Sequence, residues 1–284
     1  MTHRSFFKEW FVFVCMGVTI GVLSIKGGVG KTTIASSLAT DLATRYGKKV
    51  LLVDGNFSAP NLGLHMDIVT PDTTIHEVLA GKSRLASSIH SRYGVDVIPG
   101  SYFSRYLINP LKLKDKLSLL SKEYDYTVLD SSPALNDETL ATMLAAEQLF
   151  VVTTPDYPTL SCSLRAARLA QQRGRPIAGI IVNKIRDPRY ELDLKEIEEA
   201  LELPVVARLP DEKKAVRALF TRIPLSLYAP RSSFSIELGK LSGVLANKKE
   251  KLGAWRQLFR LGYKREQVNR QLLKQQLYRS AFRG

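Results

Sequence analysis

The stretch Val18-Thr-Ile-Gly-Val-Leu-Ser-Ile-Lys-Gly-Gly-Val-Gly-Lys-Thr-Thr33 decides the fold of this 284-residue chain. Its first half, Val18 to Ile25, is a nearly continuous apolar run of the kind that forms a parallel strand buried on both faces. Several glycines follow within one turn, where the lack of side chains lets the backbone come close to a ligand. The residues from Thr32 to Tyr46 follow with the apolar spacing of an amphipathic helix. We therefore predict a strand, a glycine-rich turn and a helix in succession.

The turn has the chemistry of a phosphate-binding loop. Backbone N–H groups that converge at a helix N-terminus suit a dense negative charge, and Lys31 can reach the β- and γ-phosphates of a nucleotide. The Thr32 hydroxyl is placed to bind Mg²⁺, so the expected ligands are ATP and Mg²⁺. The general pattern has glycine where Ile25 stands, but the strand before the loop and the helix after it supply the required context. The residues that we expect around the phosphates are Lys26, Gly27, Gly28, Val29, Gly30, Lys31, Thr32 and Thr33.

Further apolar runs alternate with helical patterns along the chain. Such alternation predicts an α/β fold with a mainly parallel, doubly wound sheet that helices cover on both faces. The expected strands are Val18 to Ile25, Val50 to Asp54, Val95 to Pro99, Tyr126 to Asp130, Gln148 to Thr153, Ile177 to Asn183 and Val205 to Leu209. The expected helices include Thr32 to Tyr46, Asn136 to Ala146, Pro158 to Arg173, Leu192 to Leu201 and a last one from Ser232 to Ala246.

Composition divides the chain into three parts: an apolar leader (1 to 16), an ATPase domain (17 to 246) and a basic helical tail (247 to 284). The apolar stretch from Trp10 to Ile25 is too short and poorly flanked for a confident membrane span, and its second half is needed as a strand. The two cysteines, Cys15 and Cys162, offer neither a disulfide framework nor a metal-binding spacing, which favours reduced thiols in a cytoplasmic protein.

The net charge of +14 is concentrated in the tail. Residues 247 to 284 hold eleven basic and two acidic side chains, a net charge of +9, which leaves about +5 for the rest. The local excess indicates an anionic partner for the tail.

Lys26 adds a second lysine to the loop, and together with Gly-Gly-Val-Gly-Lys-Thr-Thr it resembles the MinD/ParA family of deviant Walker ATPases. The resemblance implies an ATP-dependent sandwich dimer in which Lys26 contacts the phosphates held by the partner subunit. The alternative is an ordinary solvated lysine at the edge of a loop.

Other motifs of that family follow in the same order, over about residues 17 to 246. Val50-Leu-Leu-Val-Asp54 with Pro60-Asn-Leu-Gly63 resembles the first switch region, and Tyr126-Thr-Val-Leu-Asp130-Ser-Ser-Pro133 resembles the Walker B strand and second switch. The resemblance assigns Thr32, Asp54 and Asp130 to Mg²⁺. It also places Asn183 on the adenine and Pro210 in the loop that covers the base.

Two departures from the family pattern stand out. Relatives often carry a second aspartate two residues after Asp54, where this chain has Asn56, and an amide lacks the charge that favours removal of a proton from water. We therefore expect slow hydrolysis by a catalytic set of Lys26, Lys31, Asp54, Asn56 and Asp130. An Arg-Asp pair of many relatives is replaced by Ser161 and Cys162, which puts the dimer contacts of that pair in doubt.

The tail combines apolar side chains at helical spacing, Leu252, Trp255, Leu258 and Phe259, with lysine and arginine. Such a helix suits the surface of an anionic membrane and resembles the membrane-targeting helix of MinD proteins. Two alternatives are docking on the protein's own domain and binding of nucleic acid, for which a second basic helix from Arg265 to Phe282 is suited.

The function implied is that of a cytoplasmic ATPase similar to MinD. It would dimerise on ATP, hydrolyse slowly without an activating protein and control subcellular position by reversible association with the inner face of the membrane. The alternatives are a ParA-like DNA-associated partition ATPase and a scaffold that binds ATP without hydrolysing it. The lack of paired cysteines argues against an iron–sulfur carrier of the same superfold.

Overall fold

The computed structural model describes residues 17 to 246 apart from 121 and 188. Eight strands form one sheet in the order β3-β4-β2-β5-β1-β6-β7-β8, and every neighbouring pair is parallel except β3 with β4. The strands are β1 (Val18–Leu23), β2 (Val50–Gly55), β3 (His90–Arg92), β4 (Val95–Ile98), β5 (Tyr126–Ser131), β6 (Gln148–Thr153), β7 (Ile177–Ile185) and β8 (Val205–Pro210).

Helices cover both faces of the sheet. They are α1 (Lys31–Tyr46), α2 (Leu62–His65), α3 (Ile75–Leu79), α4 (Leu113–Ser118), α5 (Asp137–Ala145), α6 (Tyr157–Gln172), α7 (Leu194–Leu201), α8 (Lys214–Phe220), α9 (Leu225–Tyr228) and α10 (Ser233–Ala246), with short 3₁₀ helices at Leu85–Ser88 and Pro110–Lys112. Alternate residues of β2 serve the two layers: Leu52 packs with Ile34 and Leu38 of α1, and Leu51 packs with Ala141 of α5 on the other face. The expected doubly wound α/β fold is confirmed.

The centre of the sheet fixes the position of the site. β1 lies between β5 and β6, so that the strand order runs in opposite directions on its two sides. In open parallel sheets a ligand binds in the crevice outside the carboxyl ends of the strands at such a reversal. The glycine-rich loop leaves β1 at this point.

The seven strands expected from the sequence are all present, with ends that differ by up to two residues. The sequence missed β3, which has only three residues and pairs antiparallel with β4 at the sheet edge. Its hairpin turns through Tyr93 and Gly94, both at positive φ (52° and 76°). Two positive φ values are typical of a type I′ turn, for which Asn-Gly is the usual signal and Tyr-Gly is not.

The sequence analysis also did not predict the short helices. Elements α2, α3, α4, α8 and α9 have four to seven residues, too few for apolar periodicity to show.

The leader (1 to 16) and the tail (247 to 284), with Cys15, Leu252, Trp255, Leu258 and Phe259, lie outside the described residues, so their expected roles stay predictions. Within the described part of the chain, no helix has the length and apolar character needed to cross a membrane.

Candidate nucleotide-binding site

The backbone of the glycine-rich loop is shaped by left-handed residues. Gly28 and Gly30 have φ of 77° and 93°, a region that side chains disfavour. Gly30 is the N-cap of α1 and supplies no side-chain cap, so the first N–H groups of the helix are left for another acceptor. An anion at this helix N-terminus would satisfy them.

The two lysines of the loop have different surroundings. Lys31 is buried, and its ammonium Nζ donates to the backbone oxygen of Lys26 at 3.3 Å. Burial lowers the pKa of Lys31, while the negative charge of Asp130 acts in the opposite direction. The Lys26 side chain is exposed at the start of the same loop. Lys31 is therefore held over its own loop, and Lys26 points to the outside.

Thr32 joins the loop to two other segments. Its hydroxyl Oγ1 donates to Asp130 Oδ2 at 2.6 Å, and Asn61 Oδ1 lies 3.0 Å from the same hydroxyl. Asp130 comes from the end of β5 and Asn61 from the loop after β2. The structure thus brings together the loop and both regions that resemble switches.

Asp54 and Asp130 lie opposite each other in the register of β2 and β5, and both are buried. Burial, followed by the charge of Asp130, raises the pKa of Asp54 to about 8. Burial raises the pKa of Asp130 to about 6, although the Thr32 hydroxyl and Lys31 act to lower it. Asp130 Oδ1 is buried without a hydrogen-bond partner. The buried, unpaired oxygen of Asp130 favours a nearby cation.

The two carboxylates have different contacts. Asp54 accepts backbone N–H groups from Asn56 (3.0 Å) and Leu62 (3.1 Å), so it shapes the loop after β2. Asp130 keeps one oxygen open beside Thr32. In the described residues no group of three His, Cys, Asp or Glu side chains could hold a metal ion. Mg²⁺ does not require one, since it binds through one or two protein oxygens together with phosphates and water. These residues fit Mg²⁺·ATP.

Asn56 is buried at the end of β2, where its side-chain amide nitrogen donates to the backbone oxygen of Ala59. The side-chain carbonyl oxygen is the atom of this amide that can accept a hydrogen bond from water. A carbonyl can accept a hydrogen bond from water but cannot remove its proton.

On the other side of the loop, Asn183 near the end of β7 is buried, and its Nδ2 donates to the Val29 oxygen at 2.7 Å. A Cβ on Gly30 would collide with this amide. Asn183 therefore supports the phosphate loop, a contact that the sequence did not predict, and its expected contact with adenine remains a prediction. Pro210 ends β8, opposite Ile185 in the strand register.

Sequence reasoning missed three side chains that support the loop after β2. Glu138 of α5 is buried and accepts a hydrogen bond from Ser58, while its Oε2 has no partner. Buried His76 contacts the Phe57 oxygen through Nε2 at 3.0 Å and accepts the Ser101 N–H at Nδ1 at 3.1 Å. The third is Asn61, which lies in the motif that resembles the first switch region but whose contact with Thr32 was not predicted. No local motif marks Glu138 or His76, since their partners are up to 80 positions away in sequence.

The strand, the glycine-rich loop with its buried lysine, and the Thr32–Asp130 pair define a P-loop nucleotide-binding protein. Residues 17 to 163 match a protein family described as an AAA domain, and residues 127 to 218 match a second family with the same description. The ATP-binding protein MJ0547 of Methanocaldococcus jannaschii is 33% identical over 222 residues, which make up 76% of this chain and 83% of that protein.

Two solved structures are similar over most of the described fold. The cell division ATPase MinD of Pyrococcus furiosus is 30% identical with a TM-score of 0.76, covering 80% of this chain and 98% of that one. The septum site-determining protein MinD of Pyrococcus horikoshii, solved with Mg-ADP, is 28% identical with a TM-score of 0.76, covering 84% and 99%. This chain belongs to the MinD/ParA family of P-loop ATPases, and its cofactors are ATP and Mg²⁺.

The loop geometry predicts that Gly30→Ala abolishes tight ATP binding. The Cβ of the new alanine collides with Asn183, and the alanine backbone must adopt a left-handed conformation. We expect a loss of affinity of at least about tenfold, about 1.4 kcal/mol, since the new Cβ displaces the Asn183 amide that holds the loop through the Val29 oxygen. Titration calorimetry with ATP and Mg²⁺ measures this.

The matched control is Gly81→Ala, which also has positive φ (71°) but meets open space. It should lower the thermal stability and leave ATP affinity unchanged. Equal ATP affinity in the Gly30 variant and the wild type would contradict the assignment of the loop.

Proposed function

We propose that this ATPase is a molecular switch that forms a homodimer when it binds ATP and separates after slow hydrolysis. The supporting observation is that the two lysines of the loop have different surroundings. Lys31 is folded over its own loop, whereas Lys26 is exposed beside it. An exposed lysine at the rim of a phosphate site is suited to reach phosphates held by a second copy.

Within one subunit, the backbone N–H groups of the loop and Lys31 would bind the phosphates, and Thr32 with the unpaired oxygen of Asp130 would hold Mg²⁺. When bound, Mg²⁺ supplies positive charge that offsets the charge of the phosphates. Asp54 keeps the loop after β2 in place through its two backbone contacts. Asn183 supports the loop through its hydrogen bond to the Val29 oxygen, and we place the adenine beside Asn183 and Pro210.

Hydrolysis needs a water molecule that is oriented and gives up a proton. We propose that the Asn56 carbonyl oxygen orients this water without accepting its proton, which makes intrinsic turnover slow. Full activity would then require an activating protein.

Asn56→Asp should raise the intrinsic hydrolysis rate by at least about tenfold, because a positioned general base contributes about 10²–10⁴-fold. Phosphate release by the purified protein with Mg²⁺ and ATP measures the rate.

Asn109→Asp makes the same change of charge at an exposed cap of the 3₁₀ helix Pro110–Lys112 and should have no effect. If Asn56→Asp and wild type turned over ATP equally fast, the role of Asn56 would be wrong. A rate near zero in the wild type would favour the alternative of an ATP-dependent scaffold.

The dimer is tested by measuring the molar mass of the protein in solution with ATP, with ADP and without nucleotide. Lys26→Ala should bind ATP but remain a monomer, whereas Lys31→Ala should lose ATP binding itself. Lys122→Ala changes an exposed lysine just before the amino end of β5, at the edge of the sheet opposite the loop; it is the control and should dimerise as wild type does. ATP-dependent dimers of Lys26→Ala would overturn the assignment in trans.

We further propose that dimerisation governs a reversible association with an anionic membrane surface on its cytoplasmic side. The basic, apolar pattern of Leu252, Trp255, Leu258 and Phe259 supports this. One such helix binds weakly, and two copies in a dimer bind far more tightly because the second contact is intramolecular. Sedimentation with vesicles and with DNA separates this function from its ParA-like alternative: ATP-dependent vesicle binding supports the former, and salt-sensitive DNA binding without it supports the latter.

A further inference from the structure

One loop of the described chain exposes an unusual amount of apolar surface. Residues 101 to 112, here called the apolar loop, connect β4 to α4. Leu107 is 99% exposed and Phe103 is 90% exposed. The other large apolar side chains exposed on the loop are Tyr102, Tyr106 and Leu111. A cluster of this kind marks an interaction surface, because soluble proteins rarely present contiguous large apolar side chains to water.

The apolar loop is anchored at both ends. At its start, the Ser101 N–H donates to His76 Nδ1. At its end, Ile108 packs against the core and Asn109 caps the 3₁₀ helix through the Leu111 N–H. Phe103 and Leu107 lie between these anchors, so their exposure is a property of the fold.

Charges beside the apolar loop are mostly positive. Arg105, Lys112 and Lys114 are exposed in the same segment, against a single carboxylate at Asp115. Apolar side chains surrounded by basic ones complement an anionic surface.

We propose that the apolar loop is a second membrane contact, which inserts Phe103 and Leu107 into the interface of an anionic lipid bilayer. This inference rests on the proposed membrane association. A bilayer is favoured over a protein partner because exposed Arg105, Lys112 and Lys114 accompany the apolar side chains, and an anionic bilayer accepts both kinds of side chain. A specific protein interface buries about 800 Å² of each partner in complementary pockets, whereas a bilayer accepts aromatic and leucine side chains one at a time.

The apolar loop also indicates how the domain would face the membrane. β4 is parallel to β2, so the loop leaves the sheet at the same edge as the residues after Asp54. His76 links the two loops directly, through the Phe57 oxygen and the Ser101 N–H. The nucleotide edge of the sheet would therefore lie towards the bilayer.

The test is sedimentation of the full chain, with ATP and Mg²⁺, with vesicles made of equal parts phosphatidylglycerol and phosphatidylcholine. The double variant Phe103→Ser with Leu107→Ser should bind at least about tenfold more weakly, because it loses two large apolar side chains from the interface. It should keep the thermal stability and ATP affinity of the wild type, since neither side chain is packed.

A matched control removes two apolar side chains of similar exposure on α8, with Val216→Ser and Phe220→Ser, close to exposed Lys213 and Arg217. This variant should bind vesicles as the wild type does. Equal loss in both double variants would show that general apolar exposure, and not the apolar loop, drives binding, and would overturn the inference.

Three other outcomes would also overturn it. Wild-type vesicle binding by the Phe103 and Leu107 variant would leave the proposed membrane function standing and refute only the role of the apolar loop. Loss of the ATP-dependent dimer with unchanged vesicle binding would show that a second copy of this chain covers the loop. If the wild type itself did not bind the vesicles, the proposed membrane association would be wrong, and the inference with it.

Discussion

The 2.6 Å hydrogen bond from the Thr32 hydroxyl to Asp130 is the contact on which the site depends. It joins the loop after β1 to the end of β5, in the middle of the sheet where the strand order reverses. Since both strands are fixed by pairing along their length, the hydroxyl and the carboxylate are held in place before any ligand binds. The second Asp130 oxygen remains buried without a partner, a costly arrangement that a bound cation would relieve.

Much of this architecture could be predicted from the sequence. Buried parallel strands have continuous apolar sequences, and the phosphate loop is marked by glycine, lysine and threonine at fixed spacing. The elements that escaped prediction are those with weak local signals, such as the three-residue strand β3 and its Tyr93-Gly94 turn. The contacts of Asn61, His76 and Glu138 escaped because they join segments far apart in the chain, and a single sequence does not encode such proximity in any local pattern.

The structure also adds contacts at residues that were expected in the site. Asp54 is bonded to the backbone of the loop that follows it, and Asn183 holds the phosphate loop through Val29. Both residues therefore position other groups as the chain is folded here. Asn56 belongs to the same loop as Ser58, which donates a hydrogen bond to Glu138 of α5, so α5 supports the expected site of water activation. A change in the bound nucleotide can affect these contacts directly, since the Thr32 hydroxyl donates to Asp130 and lies 3.0 Å from Asn61 Oδ1.

The central claim is that Thr32 and Asp130 form a preformed Mg²⁺ site that binds ATP together with the loop. The most direct measurement is calorimetric titration of ATP, with and without Mg²⁺, into wild type and Asp130→Asn. Asparagine keeps the size of the side chain and an acceptor for Thr32. We predict that Mg²⁺ increases the ATP affinity of the wild type, and that this increase is about 10–100-fold smaller in the variant. A loss of this size is typical when a group that supports a metal site is removed. An equal gain from Mg²⁺ in both proteins would contradict the claim.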